Sequence, residues 1–181
     1  MQQPEHVRER QDEPAAAVSG VVGTSAIPEP DRSASSLPDA DYADAFSLVT
    51  DVVASPEQWA RAMFGDIPSP AERFIWRGLL GIRLSRGSSP HTVAGWRIGE
   101  RSEQWIRLEA CSWFLSANLV VRTSDGRVSL ATLLRYDRSL GSVVWPPLSA
   151  VHRRLTPRVL RAAVAIRARE HLRSDATLRR P

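Results

Sequence analysis

The chain has no lysine; all 24 of its basic residues are arginine. This absence excludes chemistry that needs a lysine amine, such as Schiff-base catalysis or the lysine of a phosphate-binding loop. There is one cysteine, Cys111, so an intramolecular disulfide and a cysteine-built zinc cluster are excluded too. Between Ala110 and Ser112 it reads as a buried strand residue acting as a small hydrophobe. No run approaches the roughly 18 apolar residues of a membrane span. The weakly apolar residues 15–27 follow acids rather than the basic start of a signal peptide. A cytoplasmic location is the resulting expectation. No Gly-x-Ser-x-Gly elbow, glycine-rich phosphate loop or His-x-x-x-His pair occurs. No catalytic or metal-ligating residue is therefore assigned, and no cofactor or metal is expected.

What is present is enough apolar material for one core: 43% of 181 residues. The net charge of +4 is uneven, at −4 over residues 1–40, +1 over residues 41–145 and +7 over residues 146–181. Residues 1–38 are rich in Gln, Glu, Pro, Ser, Ala and Gly, with no aromatic and no sustained period, and read as a disordered leader. The folded domain is expected over residues 39–173, with a frayed basic tail at 174–181.

Within the domain, residues 44–50 read as a first strand with Phe46 and Leu48 on one face. Ser55-Pro56-Glu57 is a helix start: an N-cap serine, a proline at the first position and an acid in the first turn. Gly65 ends that helix, and a second runs over residues 71–80. Alternation of period two then marks strands over residues 92–98, 105–110, 115–122 and 128–135, with an Asp125-Gly126 hairpin turn between the last two. A short last strand is expected over residues 142–145, halted by Pro146-Pro147. Trp96, Ile106, Leu108, Leu119, Val121, Leu130, Thr132 and Leu134 form the face expected under a closing helix. Arg97, Trp105, Arg107, Glu109, Asn118 and Arg122 belong to the other face, expected to be solvated and laced with cross-strand charge pairs. The closing helix carries Val151, Leu155, Val159, Ala162 and Ile166 at spacings of three to four, with a break expected at Pro157.

Of the four histidines, His6 lies in the leader, His91 in a loop and His171 near the end; only His152 sits where helix meets sheet. The helix arginines Arg154, Arg158, Arg161 and Arg169 suit an anionic partner. No aromatic is interleaved with them, which argues against single-stranded nucleic acid, and the short apolar side argues against a membrane.

The order of elements resembles the helix-grip fold of the START-like superfamily, also called SRPBCC or Bet v 1-like. The likeness is to its small actinobacterial members of unknown function. The residues that carry it are Asp41-Tyr42-Ala43-Asp44-Ala45-Phe46, Gly95-Trp96, the run from Val128 to Thr132, and Trp145 with Val151-His152-Arg153 and Pro157, within residues 40–172. The resemblance implies an α+β fold. A curved antiparallel sheet of about six strands would have two short helices after its first strand and a long C-terminal helix packed across it. It also implies a cavity for a lipid-, sterol- or polyketide-like molecule. The lining expected is Trp96, Ile106, Leu108, Leu130, Thr132, Leu134 and Trp145 from the sheet side, and His152, Val159 and Ile166 from the helix. A cyclase- or dehydratase-type enzyme using His152 or Arg135 in that cavity, and an interaction module using the basic helix, are the alternatives.

Overall fold

A computed structural model describes residues 17–178. The chain is α+β. Seven strands form one open antiparallel sheet: β1 (Val18–Val22), β2 (Tyr42–Val49), β3 (Thr92–Val93), β4 (Trp96–Arg101), β5 (Trp105–Cys111), β6 (Leu115–Ser124) and β7 (Arg127–Tyr136). Their order is β1-β2-β7-β6-β5-β4-β3. Helix α1 (Glu29–Ser33) lies between the first two strands. Helix α2 (Pro56–Phe64), the single turn α3 (Pro70–Arg73) and a π-helical turn (Phe74–Leu79) separate β2 from β3. Helix α4 (Leu140–Leu178) packs across the sheet.

Local sequence explains much of this. The Ser55 hydroxyl accepts from the Gln58 amide while the Gln58 side chain accepts from the Ser55 amide, a reciprocal cap. Gly65 ends α2 with φ of 72°. Asp125 and Gly126 take φ of 49° and 68°, the two positive values a tight hairpin turn needs between β6 and β7. A second such turn is less visible in the sequence. Ala94 and Gly95 have φ of 48° and 81°, so residues 92–98 form a tight hairpin, β3 to β4, rather than one strand. A β-carbon at Gly95 would lie 2.8 Å from the Ser85 carbonyl oxygen, so only glycine fits.

The inner face of the sheet carries the main core. Ile106, Leu108, Leu115, Val121, Val128 and Leu130 are buried there with Trp59 of α2 and Leu160 of α4.

The leader expectation is corrected for the residues the structure describes. Residues 1–16 lie outside them, but Val18–Val22 pairs with β2 as an edge strand, opposite residues 44–48. The Phe46 ring lies against Gly20, where a β-carbon would come within 2.5 Å of it. The segment then runs across the outer face. Ile27 and Ala34 join Val120, Ala131 and Leu133 in a second apolar cluster. Asp31, fully inside, meets Arg122 Nε at 3.0 Å. Ser35 Oγ and the Ser36 amide donate to Asn118 Oδ1 at 2.9 and 2.8 Å. The outer face is therefore covered in part, not simply solvated, although the expected cross-strand pairs Arg107–Glu109 and Arg107–Glu100 are present at 2.7 and 3.0 Å. Cys111, expected inside, is exposed at the end of β5.

Helix α4 departs most from expectation. Residues 142–145 are helical, not a strand, and the helix continues through Pro157 without a break and through 174–178, with residues 179–181 outside the described chain. Pro146 and Pro147 remove hydrogen bonds from the carbonyls of Ser142 and Val143. Both residues are exposed, so water can serve those carbonyls. Beside Pro157, the Thr156 hydroxyl donates to the His152 carbonyl at 2.9 Å. The 39-residue helix spans about 58 Å and overhangs the 10-residue strand β7, which spans about 33 Å.

The buried stripe of α4 is Trp145, Ser149, Thr156, Leu160 and Ala163, with His152 half-buried on the same line. The expected stripe was rotated by about one residue: Val151, Leu155, Ala162 and Ile166 are exposed. The true stripe is polar in its middle third, so a search for apolar periodicity slides off it.

Candidate functional site

A cavity of about 150 Å³ lies between α4, the π-helical turn and the inner faces of β4, β6 and β7. Its floor is Trp96, Ala117, Leu119, Leu130, Thr132 and Leu134. Its helical wall is Trp145, Leu148, Val151, His152, Leu155, Thr156 and Val159. The remaining side is Phe64 from the end of α2, with Ile75 and Trp76 from the π-helical turn and Leu80 and Ile82 after it. The π-turn is defined by the Leu80 amide donating to the Ile75 carbonyl at 3.0 Å, a geometry that recurs beside functional sites. Trp76 stands edge-on to Trp96, ring centres 5.5 Å apart, and to Phe64 at 6.2 Å.

A polar cluster adjoins this apolar space. Asp44, on β2 directly opposite Thr132 of β7, has 0% exposure. It accepts from the Tyr42 hydroxyl at 2.5 Å, and both its oxygens lie 3.2–3.3 Å from His152 Nε2. A carboxylate only accepts, so this contact is a hydrogen bond in the His152 tautomer that carries its proton on Nε2. Thr132 Oγ1 is 3.2 Å and Thr156 Oγ1 3.4 Å from the same nitrogen. Burial, and then the neighbouring Asp44 carboxylate, push the Tyr42 phenol above its ordinary pKa, which keeps it a donor. Trp145 packs edge-on to Tyr42 at 5.2 Å and beside the His152 ring at 5.5 Å.

Among the described residues four buried side-chain polar atoms lack a partner, and two of them belong to residues of the cavity lining. The indole N–H groups of Trp96 and Trp145 are both buried, and neither has an acceptor in the protein.

Seven of the expected lining residues do meet here: Trp96, Leu130, Thr132, Leu134, Trp145, His152 and Val159. Ile106 and Leu108 are instead packed in the core beneath α2 and do not border the cavity, and Ile166 is exposed on α4 beyond it. Arg135 pairs with Asp137 at 2.9 Å and is not in the lining. Arg154, Arg158 and Arg169 are exposed. Sequence reasoning missed Asp44. Its signal was available: period two puts it on the face of Phe46 and Leu48, and an acid on a buried face demands partners.

No family model, no curated protein and no solved structure matches the chain. Among the described residues, no helix is long and apolar enough to cross a membrane.

Proposed function

We propose that this protein binds a compact hydrophobic molecule between its sheet and its C-terminal helix. The observation that carries the proposal is the cavity of about 150 Å³, walled almost wholly by aliphatic and aromatic side chains. An apolar space of about this size accepts a benzene-sized guest, whereas sites for drug-sized molecules run to roughly 300–1,000 Å³. The size therefore favours one or two fused rings or a short branched chain over a whole sterol, and the helix-grip resemblance supports the location. In a thermal-shift panel of such compounds, one at about 100 times its Kd adds about 2.7 kcal/mol, roughly 5–10 °C for a domain of this size. Ala117→Leu, which fills the floor, should abolish the shift. A panel in which nothing raises the melting point, or in which Ala117→Leu responds like the parent, sinks the proposal.

One observation favours the enzymatic alternative of cyclase or dehydratase type. His152 borders the cavity with its Nε2 held by a buried carboxylate, the arrangement of an oriented acid–base group. Under this reading a compound that co-purifies with the protein is converted on incubation with the parent and left unchanged by His152→Gln. Recovery of every such compound unchanged from the parent rejects it.

A further inference from the structure

The cavity opens through its helical side. Its floor residues on β4, β6 and β7 are buried, whereas Phe64, Ile75, Trp76, Leu148, Val151 and Leu155 are partly or largely exposed. The mouth therefore lies between α4 on one side and the end of α2 with the π-helical turn on the other. Val151 and Leu155 line the cavity and yet are 47% and 40% exposed. Across from them the π-turn exposes Phe74 at 65% and Leu79 at 42%. The apolar surface of the cavity thus continues onto both lips. Farther along α4, Ala162 and Ile166 are exposed on the same helix face as Val151 and Leu155.

Charge on this surface has one sign. No Asp or Glu occurs between Arg73 and Gly99 or between Arg138 and Arg169, the two segments that supply the π-turn and the outer side of α4. Arg73 and Arg77 on one lip and Arg154 and Arg158 on the other are exposed. None of the four forms an ion pair among the described residues. A second copy of the chain would set arginine against arginine. We infer that this face docks on an anionic lipid bilayer, with the apolar lips entering the interface and the arginines meeting the headgroups. The choice of a bilayer over an acidic protein rests on the binding role proposed above. A hydrophobic guest concentrates in lipid, and a mouth rimmed by Phe74, Leu79, Val151 and Leu155 lets it pass from hydrocarbon to cavity without crossing water. The apolar side of α4 is short by itself; the structure turns it outward and sets the π-turn beside it.

The test is flotation of the full chain, with no guest added, on vesicles of phosphatidylcholine alone or with roughly one-third phosphatidylglycerol. The chain should bind the mixed vesicles and leave pure phosphatidylcholine. It should detach as added salt shortens the Debye length from ~10 Å toward ~3 Å. Arg154→Gln with Arg158→Gln, and separately Arg73→Gln with Arg77→Gln, should each weaken binding roughly 25-fold, at about fivefold per arginine. Phe74→Ser, which lies outside the cavity lining, should weaken it roughly tenfold or more. Circular dichroism checks each fold, and two separate arginine pairs leave one to decide should the other misfold. If the chain ignores the mixed vesicles, or binds them and neither the arginine pairs nor Phe74→Ser change this, the inference falls. It falls as well if poly-glutamate is bound and vesicles are not, which would mark the face as a site for an acidic protein. A guest that raises the melting point while vesicles are ignored keeps the binding role and ends this inference. Vesicle binding by a chain that no guest stabilises keeps the docking and ends the role.

Discussion

The Asp44 carboxylate on β2 lies 3.2 Å from His152 Nε2 on α4, across 108 residues of chain. That contact ties the helix to β2, beside the cavity. Removing the carboxylate strands two donors, Tyr42 and His152. Asp44→Ala should therefore cost roughly 2–4 kcal/mol in a denaturant melt, while Asp44→Asn, which keeps one acceptor, should cost about half as much. Equal losses for the two variants would show that the site is held by packing volume instead.

The Asp31–Arg122 pair makes a prediction about the strap over the outer face. Burial raises the Asp31 carboxyl pKa, and Arg122 offsets this only in part. Arg122→Leu leaves that carboxylate without its cation and should cost roughly 3–5 kcal/mol at neutral pH. Adding Asp31→Ala to it should recover most of the loss. The sign with pH is defined: the variant's folded state holds the Asp31 proton more tightly than its unfolded state. The loss should therefore shrink as pH falls through the raised pKa. Urea melts at pH 7 and pH 4 check this, and amide exchange over residues 18–37 should rise with the single variant.

Asp137 behaves in the opposite sense. The Ser116 hydroxyl donates to it at 2.6 Å and, with Arg135, holds its pKa below the ordinary carboxylate value despite some burial. Its contribution is present above the unfolded pKa, near 3.8, and is lost as pH falls through the folded one. Ser116→Ala should cost about 1 kcal/mol at pH 7 and nearly nothing at pH 2, measured by denaturant melts at the two pH values.

Pro157 sits inside a continuous helix and denies the Arg153 carbonyl its amide partner. A proline in a helix interior costs up to ~3 kcal/mol relative to alanine. Pro157→Ala should raise stability by about 1–3 kcal/mol, read as a melting point higher by several degrees. An unchanged or lower melting point would show that the proline ring makes packing contacts worth as much as the missing bond.

Parts of this structure can be read from the sequence, and physical reasons separate them from the rest. The β6–β7 hairpin is legible because alternation and the Asp125-Gly126 turn act locally. So is the start of α2, where Ser55 and Pro56 supply cap and first turn. Strand β1 is not. Val21 and Val22 are largely exposed, and what holds the strand is backbone pairing and the ring of Phe46 over Gly20, which no local pattern records. The inward line of α4 was missed because Ser149, His152 and Thr156 occupy it. Each is tolerated through a partner: the Pro146 carbonyl for Ser149, the His152 carbonyl for Thr156, and Asp44 for His152. A polar residue whose partner lies far along the chain reads as solvent-facing until the fold is known. For the same reason the apolar half of the cavity was foreseeable from Trp96 and Trp145, and its polar side, beyond Thr132 and His152, was not.

The position of β2 has a consequence for biosynthesis. Strand β2 ends at Val49, and β7, which it pairs with throughout, begins at Arg127. At ~5–20 residues per second, roughly 4–16 seconds of translation separate the two. During that interval Phe46 and Leu48 have only the short, exposed β1 to pair beside, and Asp44 has no histidine to meet. The hairpins β4 to β7 can close as each leaves the ribosome, but the wall that holds Asp44 waits for the last of them. Every other pairing in the sheet joins strands adjacent in sequence, so β2 waits longest for a neighbour.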